Sequence, residues 1–232
     1  MPVLGFLHTS PVHIAPFDAL VADLAPGWSA VHVVDESLLN DARTRGEVDA
    51  EIVARLQARF AELHASSPDV VVCTCSTIGT ASERLGALRV DRPMAAEAVR
   101  FASNGSGSIL VVASSASTVI PTKALIDDEF QRAASRTPIA AVSEGIERAH
   151  TEVLVVEKSW AFFERGELDG YATCLAEAIR AHIDSFSRGV GALPDVIVLA
   201  QASMRDVPPL LADLGIPVLT SPALAVKAAT SR

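Results

Sequence analysis

Short apolar runs alternate along the chain with longer stretches in which apolar residues recur every three or four positions. Runs of roughly four to eight β-branched or apolar residues, bounded by proline, glycine or small polar residues, are typical of buried strands. The spacing of Val48, Ile52, Leu56, Phe60 and Leu63 instead predicts an amphipathic helix over 49–64. The predicted strands are Val3–Leu7, Val31–Val34, Val70–Cys75, Ile109–Ala113, Ile139–Val142, Val196–Ala200 and Gly215–Leu219.

Further amphipathic stretches predict helices between these strands. They are Phe17–Leu24, a stretch that starts at Thr80, Pro93–Ala102, Pro121–Ala134, most of the chain from Glu144 to a loop at Gly189, Leu210–Leu214, and a last helix capped by Ser221. Strands that alternate with helices favour parallel sheets covered on both faces. We therefore expect an α/β protein with two similar halves, each a mostly parallel sheet flanked by helices.

The net charge and the length of the apolar runs exclude two classes of partner. The 232 residues carry a formal net charge of −9 and their Lys and Arg residues do not cluster, so we expect no nucleic-acid partner. The longest apolar runs are strand-length, far short of the ~20 residues of a membrane-spanning helix. Because the N-terminus also lacks a basic segment followed by an apolar core, we expect a soluble cytoplasmic protein without membrane association.

The chain contains three cysteines, Cys73, Cys75 and Cys174. An odd count in a chain without a secretion signal argues against a disulfide framework. No histidine pair has the spacing of a zinc site, so we predict no metal. Cys174 shares a helical face with apolar residues and is predicted to be a buried core thiol.

Small polar residues at the ends of the predicted strands form the candidate site. They are His8, Thr9 and Ser10 after the first strand, Cys75, Ser76 and Thr77 at the end of the third, Ser117 and Thr118 after the strand Ile109–Ala113, and Gln201 and Ser203 after the strand Val196–Ala200. The carboxyl ends of parallel strands line the crevice in which open α/β sheets bind ligands. Hydroxyls and backbone amides at such ends would bind a carboxylate without a metal. Taken singly, small polar residues at a strand end more often form a turn or cap a helix than bind a ligand.

Cys75 is the strongest chemical candidate among these residues. We predict it as the last residue of its strand, beneath a helix N-terminus whose dipole favours the thiolate. Cys73 lies ~6–7 Å further back by the rise of a strand, so it is predicted to pack in the core.

The run Val70–Thr77 resembles the first catalytic motif of the aspartate/glutamate racemase superfamily, a strand that ends in Cys-Asn-Thr. Cys75 takes the cysteine position of that motif, and Ser76 replaces the asparagine. Three further segments resemble the family's strand with a Thr-Val carboxylate-binding turn, its second catalytic strand, and its final strand and helix: 111–119, 198–204 and 215–222.

The resemblance implies two α/β domains related by pseudo-twofold symmetry, with the active-site cleft between them. One domain would be discontinuous, so that 1–98 and 208–232 form the N-terminal domain and 99–207 form the second. The resemblance further implies no cofactor, a small carboxylate-containing substrate and a homodimer. In such enzymes one cysteine removes the proton from the carbon beside a carboxylate, and a second cysteine delivers a proton to the opposite face.

At the second cysteine position this chain carries Gln201, whose amide cannot act as an acid or a base near neutral pH. Three functions therefore stay open. The first is an isomerase or racemase with one thiol and another acid/base, for which His8 is the candidate. The second is a single-cysteine decarboxylase or lyase of an arylmalonate-type substrate, because one acid suffices to protonate the enediolate. The third is a catalytically silent protein that binds a carboxylate.

The remaining candidates are expected to bind substrate. Gln201 would donate its NH2 group to a carboxylate or carbonyl of the substrate. Thr77, Ser117 and Thr118 are expected to contact the carboxylate through hydroxyl and amide groups, as are Thr9, Ser10, Ser76 and Ser203. For His8 the structural alternative is a histidine held by a backbone carbonyl.

Overall fold

The computed structural model describes residues 1–136, 150–187 and 192–231, and it divides the chain into two units. The first unit comprises Met1–Pro93 and Ser221–Arg232, and the second comprises Met94–Thr220. Each unit contains a four-stranded sheet in which neighbouring strands are parallel. The predicted α/β class with two mostly parallel sheets is confirmed.

The sheet of the first unit has the strand order β2-β1-β3-β4. Its strands are β1 (Val3–His8), β2 (Ser29–Val34), β3 (Val70–Cys73) and β4 (Leu88–Arg89). The helices between them are α1 (Ile14–Leu24), α2 (Glu36–Arg45), α3 (Ala50–His64) and α4 (Gly79–Arg84). Asp49 caps α3 by accepting a hydrogen bond from the backbone N–H of Ile52, which fixes the start of the helix predicted from its apolar spacing.

The sheet of the second unit has the order β6-β5-β7-β8. Its strands are β5 (Ser108–Ala113), β6 (His150–Val155), β7 (Val196–Leu199) and β8 (Val218–Thr220). The helices are α5 (Arg92–Ser103), α6 (Val119–Arg136), α7 (Glu157–Glu164) and α8 (Leu168–Ser187). The final helix α9 (Ser221–Thr230) returns to the first unit.

Strand alternation sorts the core of the first unit into two apolar clusters, because successive side chains point to opposite faces of a sheet. One cluster joins Leu4 and Phe6 of β1 to residues of α1 and α9. The other joins Leu7 of β1 to residues of α2 and α3. Cys73 belongs to the second cluster, so its side chain points towards α3.

In the second unit, one face of the sheet packs against α8. Leu110 and Val112 of β5 and Ile197 and Leu199 of β7 are fully buried in this cluster. The facing side chains of α8 include Tyr171, Cys174, Leu175, Ile179 and Ile183. Cys174 is a buried core thiol, as predicted.

Three parts of the secondary structure differ from the sequence prediction. The segment from Glu144 was predicted to be mostly helical, and it contains α7 and α8, but it also contains the edge strand β6 (His150–Val155). Its first three residues are polar and none of its residues is fully buried, so the short apolar run 153–156 was not predicted as a strand. The helix α2 and the two-residue strand β4 were not predicted. The predicted strand Ile139–Val142 lies outside the described residues.

The boundary between the two units also differs from the expected one. β8 pairs with β7, and Leu211 packs in the cluster of α8, so the segment from 208 to 220 belongs to the second sheet. Only the residues from Ser221 onward join the first unit. The expected return at 208 followed from the family resemblance, which implied that the chain's last segment returns to the first domain.

Candidate functional site

Cys75 lies two residues beyond the end of β3, rather than at the last strand position. Its side chain is 8 % exposed and belongs to the apolar cluster that α2 and α3 form on the sheet. Four hydrogen-bond donors nevertheless reach its sulfur: the hydroxyls of Thr9 and Thr77 and the backbone N–H groups of Thr77 and Ile78. The thiol is therefore set among apolar side chains and is also surrounded by donors that favour a negative sulfur.

Burial and hydrogen bonding act in opposite directions on the Cys75 thiol. Burial raises its pKa above the ordinary value, and it outweighs the hydrogen bonds from Thr9, Ile78 and Thr77, which lower the pKa. The expectation that a helix dipole would favour the thiolate is corrected by this balance. The helix α4 has only six residues, and desolvation is the larger influence.

Cys73 is the deeper of the two thiols, as predicted. It is fully buried, and its sulfur lies 3.8 Å from the backbone oxygen of Cys75. Burial raises the pKa of Cys73 to about 12. Such a thiol stays protonated across the neutral range and acts as a core side chain.

His8 lies at the end of β1, and both nitrogens of its ring are hydrogen-bonded. Nδ1 lies 2.9 Å from the hydroxyl of Thr74, and Nε2 lies 2.9 Å from Nδ1 of His32. The Thr74 hydroxyl donates to the backbone oxygen of Leu7 at 3.1 Å, so it accepts from an N–H at Nδ1 of His8. The histidine is held by a side-chain network, not by the backbone carbonyl considered in the sequence analysis.

Burial, followed by the proximity of His13 and His32, lowers the pKa of His8 to about 3. The ring is fully buried and stacks on Phe6, with 5.8 Å between the ring centroids. His8 is therefore neutral in the ordinary pH range, and its two ring nitrogens bind protein groups. This geometry favours a structural role over the predicted role of second acid/base.

The other candidates of the first unit surround these two residues. Thr9 is buried and donates to the Cys75 sulfur, while Ser10 is partly exposed and precedes a short 3₁₀ turn over Pro11–His13. Ser76 and Thr77 are both buried in the turn between β3 and α4. The structure thus brings Thr9, Thr77 and Cys75 together.

Gln201 follows β7 in the second unit and is fixed through one end of its amide. Its side-chain oxygen accepts hydrogen bonds from the backbone N–H and the hydroxyl of Ser114, both at 2.7 Å. Ser114 directly follows β5, so two neighbouring strand ends are joined by these bonds. Because the oxygen of the Gln201 amide binds Ser114, the NH2 group must point away from Ser114.

Tyr171 connects Ser114 to Ser203, and sequence reasoning missed it. Its hydroxyl lies 3.0 Å from the Ser114 hydroxyl and 2.9 Å from the Ser203 hydroxyl. Tyr171 is on α8 and is 1 % exposed. The sequence did offer one signal. The chain's single tyrosine lies on the apolar face of a predicted helix, and a buried tyrosine hydroxyl needs a hydrogen-bond partner.

Ser117 and Thr118 lie in the 3₁₀ turn Ala116–Thr118 that leads into α6. The Ser117 hydroxyl is 3.0 Å from that of Ser115, and the Thr118 side chain is buried. The second unit therefore brings Gln201 and Ser203 into one network, and it holds Ser117 in a different pair of hydroxyls.

Within residues 1–136, 150–187 and 192–231, no group of three or more His, Cys, Asp or Glu side chains is arranged to hold a metal ion. Over the same ranges, no helix combines the length and apolar character that a membrane crossing requires.

Comparison with known proteins finds neither a matching family model nor a matching curated sequence. Solved structures do match. A candidate Asp/Glu racemase from Yersinia pestis has a TM-score of 0.62 at 15% identity, covering 100% of this chain and 98% of that chain. An aspartate racemase from Picrophilus torridus also has a TM-score of 0.62, at 13% identity, covering 100% of this chain and 95% of that chain.

A third match is an allantoin racemase from Klebsiella pneumoniae, with a TM-score of 0.55 and 16% identity. It covers 100% of this chain and 87% of that chain. At these identities the likeness concerns the fold. Together with the strand ends described above, it shows that this chain has the two-sheet α/β fold of the aspartate/glutamate racemases.

Proposed function

We propose that this protein catalyses proton transfer, without a cofactor, at a carbon next to a carboxylate, in an isomerase or racemase reaction on an amino acid or related small acid. Cys75 is the acid/base: its thiolate takes the hydrogen of that carbon as a proton, and the electron pair moves onto the carboxylate as an enediolate. For the configuration to change, the enediolate must turn over in the site before the Cys75 thiol returns the proton to its opposite face. The fold shared with solved racemases supports this reaction class.

The observation that supports this proposal most strongly is the set of four hydrogen-bond donors around the Cys75 sulfur. A thiol that serves only as an apolar filler has no need of two hydroxyls and two backbone N–H groups. A thiolate that forms during turnover does need them, because a buried negative charge is costly unless it is hydrogen-bonded. Cys73, two residues earlier, has two such hydrogen bonds, with the side chain of Ser82 and the backbone of Cys75, against four at Cys75.

Gln201 supplies the second part of the proposal. An amide held through its oxygen presents two N–H donors, which suit a carboxylate or the developing enediolate. In this role it takes the place of the second cysteine as a binding group rather than as an acid. We assign Ser117 and Thr118 to carboxylate contacts, whereas the hydroxyl and the backbone N–H of Thr77 are directed at the Cys75 sulfur.

Decarboxylation of a substituted malonate is the second candidate, and the raised pKa of Cys75 favours it. A thiol that stays protonated is ready to donate to an enediolate once carbon dioxide has left. The ring of His8, the predicted second acid/base, is also engaged with protein groups through both nitrogens. A single proton donor completes a decarboxylation, whereas proton delivery to the opposite face normally needs two.

Incubation in deuterated water distinguishes these reactions. The protein is mixed with amino acids, hydantoins and aryl-substituted malonates, and deuterium incorporation and carbon dioxide release are followed. Exchange of the α-hydrogen with retention of carbon supports the isomerase, and carbon dioxide release from a malonate supports the decarboxylase. A carboxylate that raises the melting temperature without any turnover would establish a binding protein and overturn both enzymatic proposals.

The matched variants are Cys75→Ala and Cys73→Ala. Loss of a proton-transfer group typically costs about 10²–10⁴-fold in rate, so we expect Cys75→Ala to abolish either reaction. Cys73→Ala leaves a small cavity and should reduce stability more than rate. Full activity in Cys75→Ala, together with loss of activity in a folded Cys73→Ala, would show that Cys73 and not Cys75 is the reacting thiol.

A further inference from the structure

We propose that Tyr171 is a positioning residue that, together with the backbone N–H of Ser114, fixes the direction of the Gln201 amide, so that this protein selects a carboxylate over its uncharged amide. The proposal rests on the proposed function in one respect, the use of Gln201 as a donor to the ligand. Its basis is a chain of hydrogen bonds that runs from Ser203 through Tyr171 and Ser114 to Gln201.

The direction of the chain follows from its last bond. A carbonyl oxygen only accepts hydrogen bonds, so the Ser114 hydroxyl donates its proton to the Gln201 oxygen at 2.7 Å. The backbone N–H of Ser114 donates to the same oxygen at 2.7 Å. If the amide were rotated by half a turn, its NH2 group would meet both of these donors.

The other two bonds take the same direction. Because the Ser114 hydroxyl already donates its one proton to Gln201, it must accept the hydrogen bond from Tyr171 at 3.0 Å. The Tyr171 hydroxyl therefore donates its own proton to Ser114, and it accepts a hydrogen bond from the Ser203 hydroxyl at 2.9 Å. Each of the three hydroxyls donates once, and all of the protons point towards Gln201.

Burial keeps this direction fixed. Tyr171 and Ser114 are each 1 % exposed and Ser203 is 7 % exposed, so water has little access to these hydroxyls. The tyrosine ring is held in the apolar cluster of α8, with Phe163 at 5.5 Å between ring centroids. Burial also raises the pKa of Tyr171 above its ordinary value, which keeps the phenol in its donating form.

The NH2 end of Gln201 is the part of this network that remains for a ligand. Gln201 is half-buried, and in the described part of the chain no protein group is hydrogen-bonded to its nitrogen. Each N–H of this group needs an acceptor, and a carboxylate offers only acceptor oxygens, whereas an amide ligand also brings N–H groups that would meet these donors. The chain of hydroxyls thus determines which ligand chemistry the amide accepts.

The experiment compares the binding of malonate with that of malonamide, its uncharged counterpart. Tyr171→Phe keeps the ring and removes only the hydroxyl, so Ser114 loses its donor and becomes free to turn away from Gln201. We expect malonate affinity to fall about tenfold, the effect of losing one buried hydrogen bond, with malonamide affinity nearly unchanged. Gln201→Glu keeps an oxygen for Ser114 but presents a carboxylate, so it should lose malonate binding altogether.

The matched control for loss of a buried hydroxyl is Ser159→Ala against Ser203→Ala. Ser159 is fully buried in the same unit, and its hydroxyl donates to the backbone of Val156, outside the chain of hydroxyls. Ser203→Ala should weaken malonate binding in the same direction as Tyr171→Phe, and Ser159→Ala should not. A stability effect alone would affect both serine variants and would leave the malonate-to-malonamide ratio unchanged.

A spectroscopic measurement tests the position of the amide without any ligand. The side-chain NH2 resonances of Gln201, identified by their loss in Gln201→Glu, should shift in Tyr171→Phe and stay in place in Ser159→Ala. Tyr171 is the only tyrosine of the chain, so a carbon-13 label on its ring reports this network alone. That label should respond to malonate in the wild-type protein.

Unchanged Gln201 resonances and an unchanged malonate-to-malonamide ratio in Tyr171→Phe would overturn the inference, as would a wild-type protein that binds no malonate. Failure of the proposed enzymatic function would give a different set of results. If malonate binds with the expected dependence on Tyr171, yet no acid exchanges hydrogen or loses carbon dioxide, the inference stands and the enzymatic proposal falls. If turnover occurs but does not depend on Tyr171, the reverse holds.

Discussion

The raised pKa of Cys75 gives the two candidate reactions opposite pH profiles. A reaction that starts from the thiolate should accelerate as pH rises and continue to accelerate past the ordinary thiol value of 9.0. A reaction that uses the thiol as donor should be level through that range and slow only above it. The measurement is the rate of deuterium exchange or carbon dioxide release against pH at saturating substrate.

A stable Cys75→Ser variant is the control for this profile, because a hydroxyl keeps the size and the hydrogen bonds but does not ionise in this range. Its residual rate, if any, should lose the pH dependence. A wild-type profile with an inflection well below pH 9 would contradict the balance in which burial outweighs the donors around the sulfur.

His8 predicts a dependence of stability on pH. Its pKa is about 3 in the folded protein, against 6.5 for an ordinary histidine, so between these values only the unfolded chain binds the proton. This contribution is fully present above pH 6.5 and is lost as pH falls, by about 1.4 kcal/mol per pH unit. The measurement is the free energy of unfolding in denaturant at pH 7, 6 and 5.

The comparison is with His8→Gln, an uncharged residue that keeps hydrogen-bonding capacity. Carboxylates contribute to acid unfolding in both proteins, so the difference between the two slopes isolates the histidine. The ring protons of His8 should also show no titration by NMR between pH 7 and 5. A titration near pH 6.5 would contradict its burial in the network with Thr74 and His32.

At this scale the sequence separated the three thiols by environment. Cys73 and Cys174 lie among apolar neighbours in regular patterns, and in the folded protein all three thiols are buried. Cys75 was singled out because the pattern changes there to small polar residues. Tyr171 gave no comparable signal, since its partners lie 57 and 32 residues away in the chain and only the fold brings the three hydroxyls together.

At the scale of elements, the start of α4 is held by a buried ion pair between Arg89, the last residue of β4, and Asp91. Arg89 donates two hydrogen bonds to Asp91, at 2.8 and 2.9 Å, and both side chains are almost fully buried. Arg89 also donates to the Thr80 hydroxyl at 3.2 Å. The guanidinium therefore holds the turn that follows Cys75.

Gly79 leaves room for this guanidinium, and we predict that Gly79→Ala destabilises the protein. An added Cβ atom would lie 2.9 Å from Nε and 3.1 Å from Cζ of Arg89, which its bonds to Asp91 prevent from moving. Overpacking of this kind costs about 1–3 kcal/mol. The free energy of unfolding in urea measures it.

Arg84→Ala is the matched control, because Arg84 is exposed on the same helix. We expect that change to stay within about 0.5 kcal/mol of the wild type. Equal stability of the wild type and Gly79→Ala would show that Arg89 is free to move aside. Neither β4 nor its ion pair was predicted, since a two-residue strand has no pattern of its own.

At the scale of the whole molecule, the last helix stabilises a unit that the chain left at Pro93. Val226 and its neighbours on α9 are fully buried in the apolar cluster with Leu4 and Phe6 of β1. We predict that Val226→Asp costs about 3–5 kcal/mol, because it buries an unpaired charge. Hydrogen exchange by mass spectrometry should show faster exchange in β1 and β3.

Lys227→Asp introduces the same charge at the adjacent exposed position and serves as the control. It should leave exchange in β1 and β3 near the wild-type rate. In Val226→Asp the strands β5 and β7 should be protected as in the wild type, because α9 belongs to the first unit. Equal loosening of both sheets would contradict the division of the chain.

The sequence by itself determined the class of fold and the residue around which the chemistry is proposed. Period-two and period-3.6 patterns are local, so they identified most buried strands and amphipathic helices and the strand end at Cys75. The tertiary structure alone decided the pairing of β8 with β7, the edge strand β6, the engaged ring of His8 and the network of Tyr171. Each of these depends on contacts between residues far apart in the chain, and the burial that raises the pKa of Cys75 is likewise a property of the packed protein.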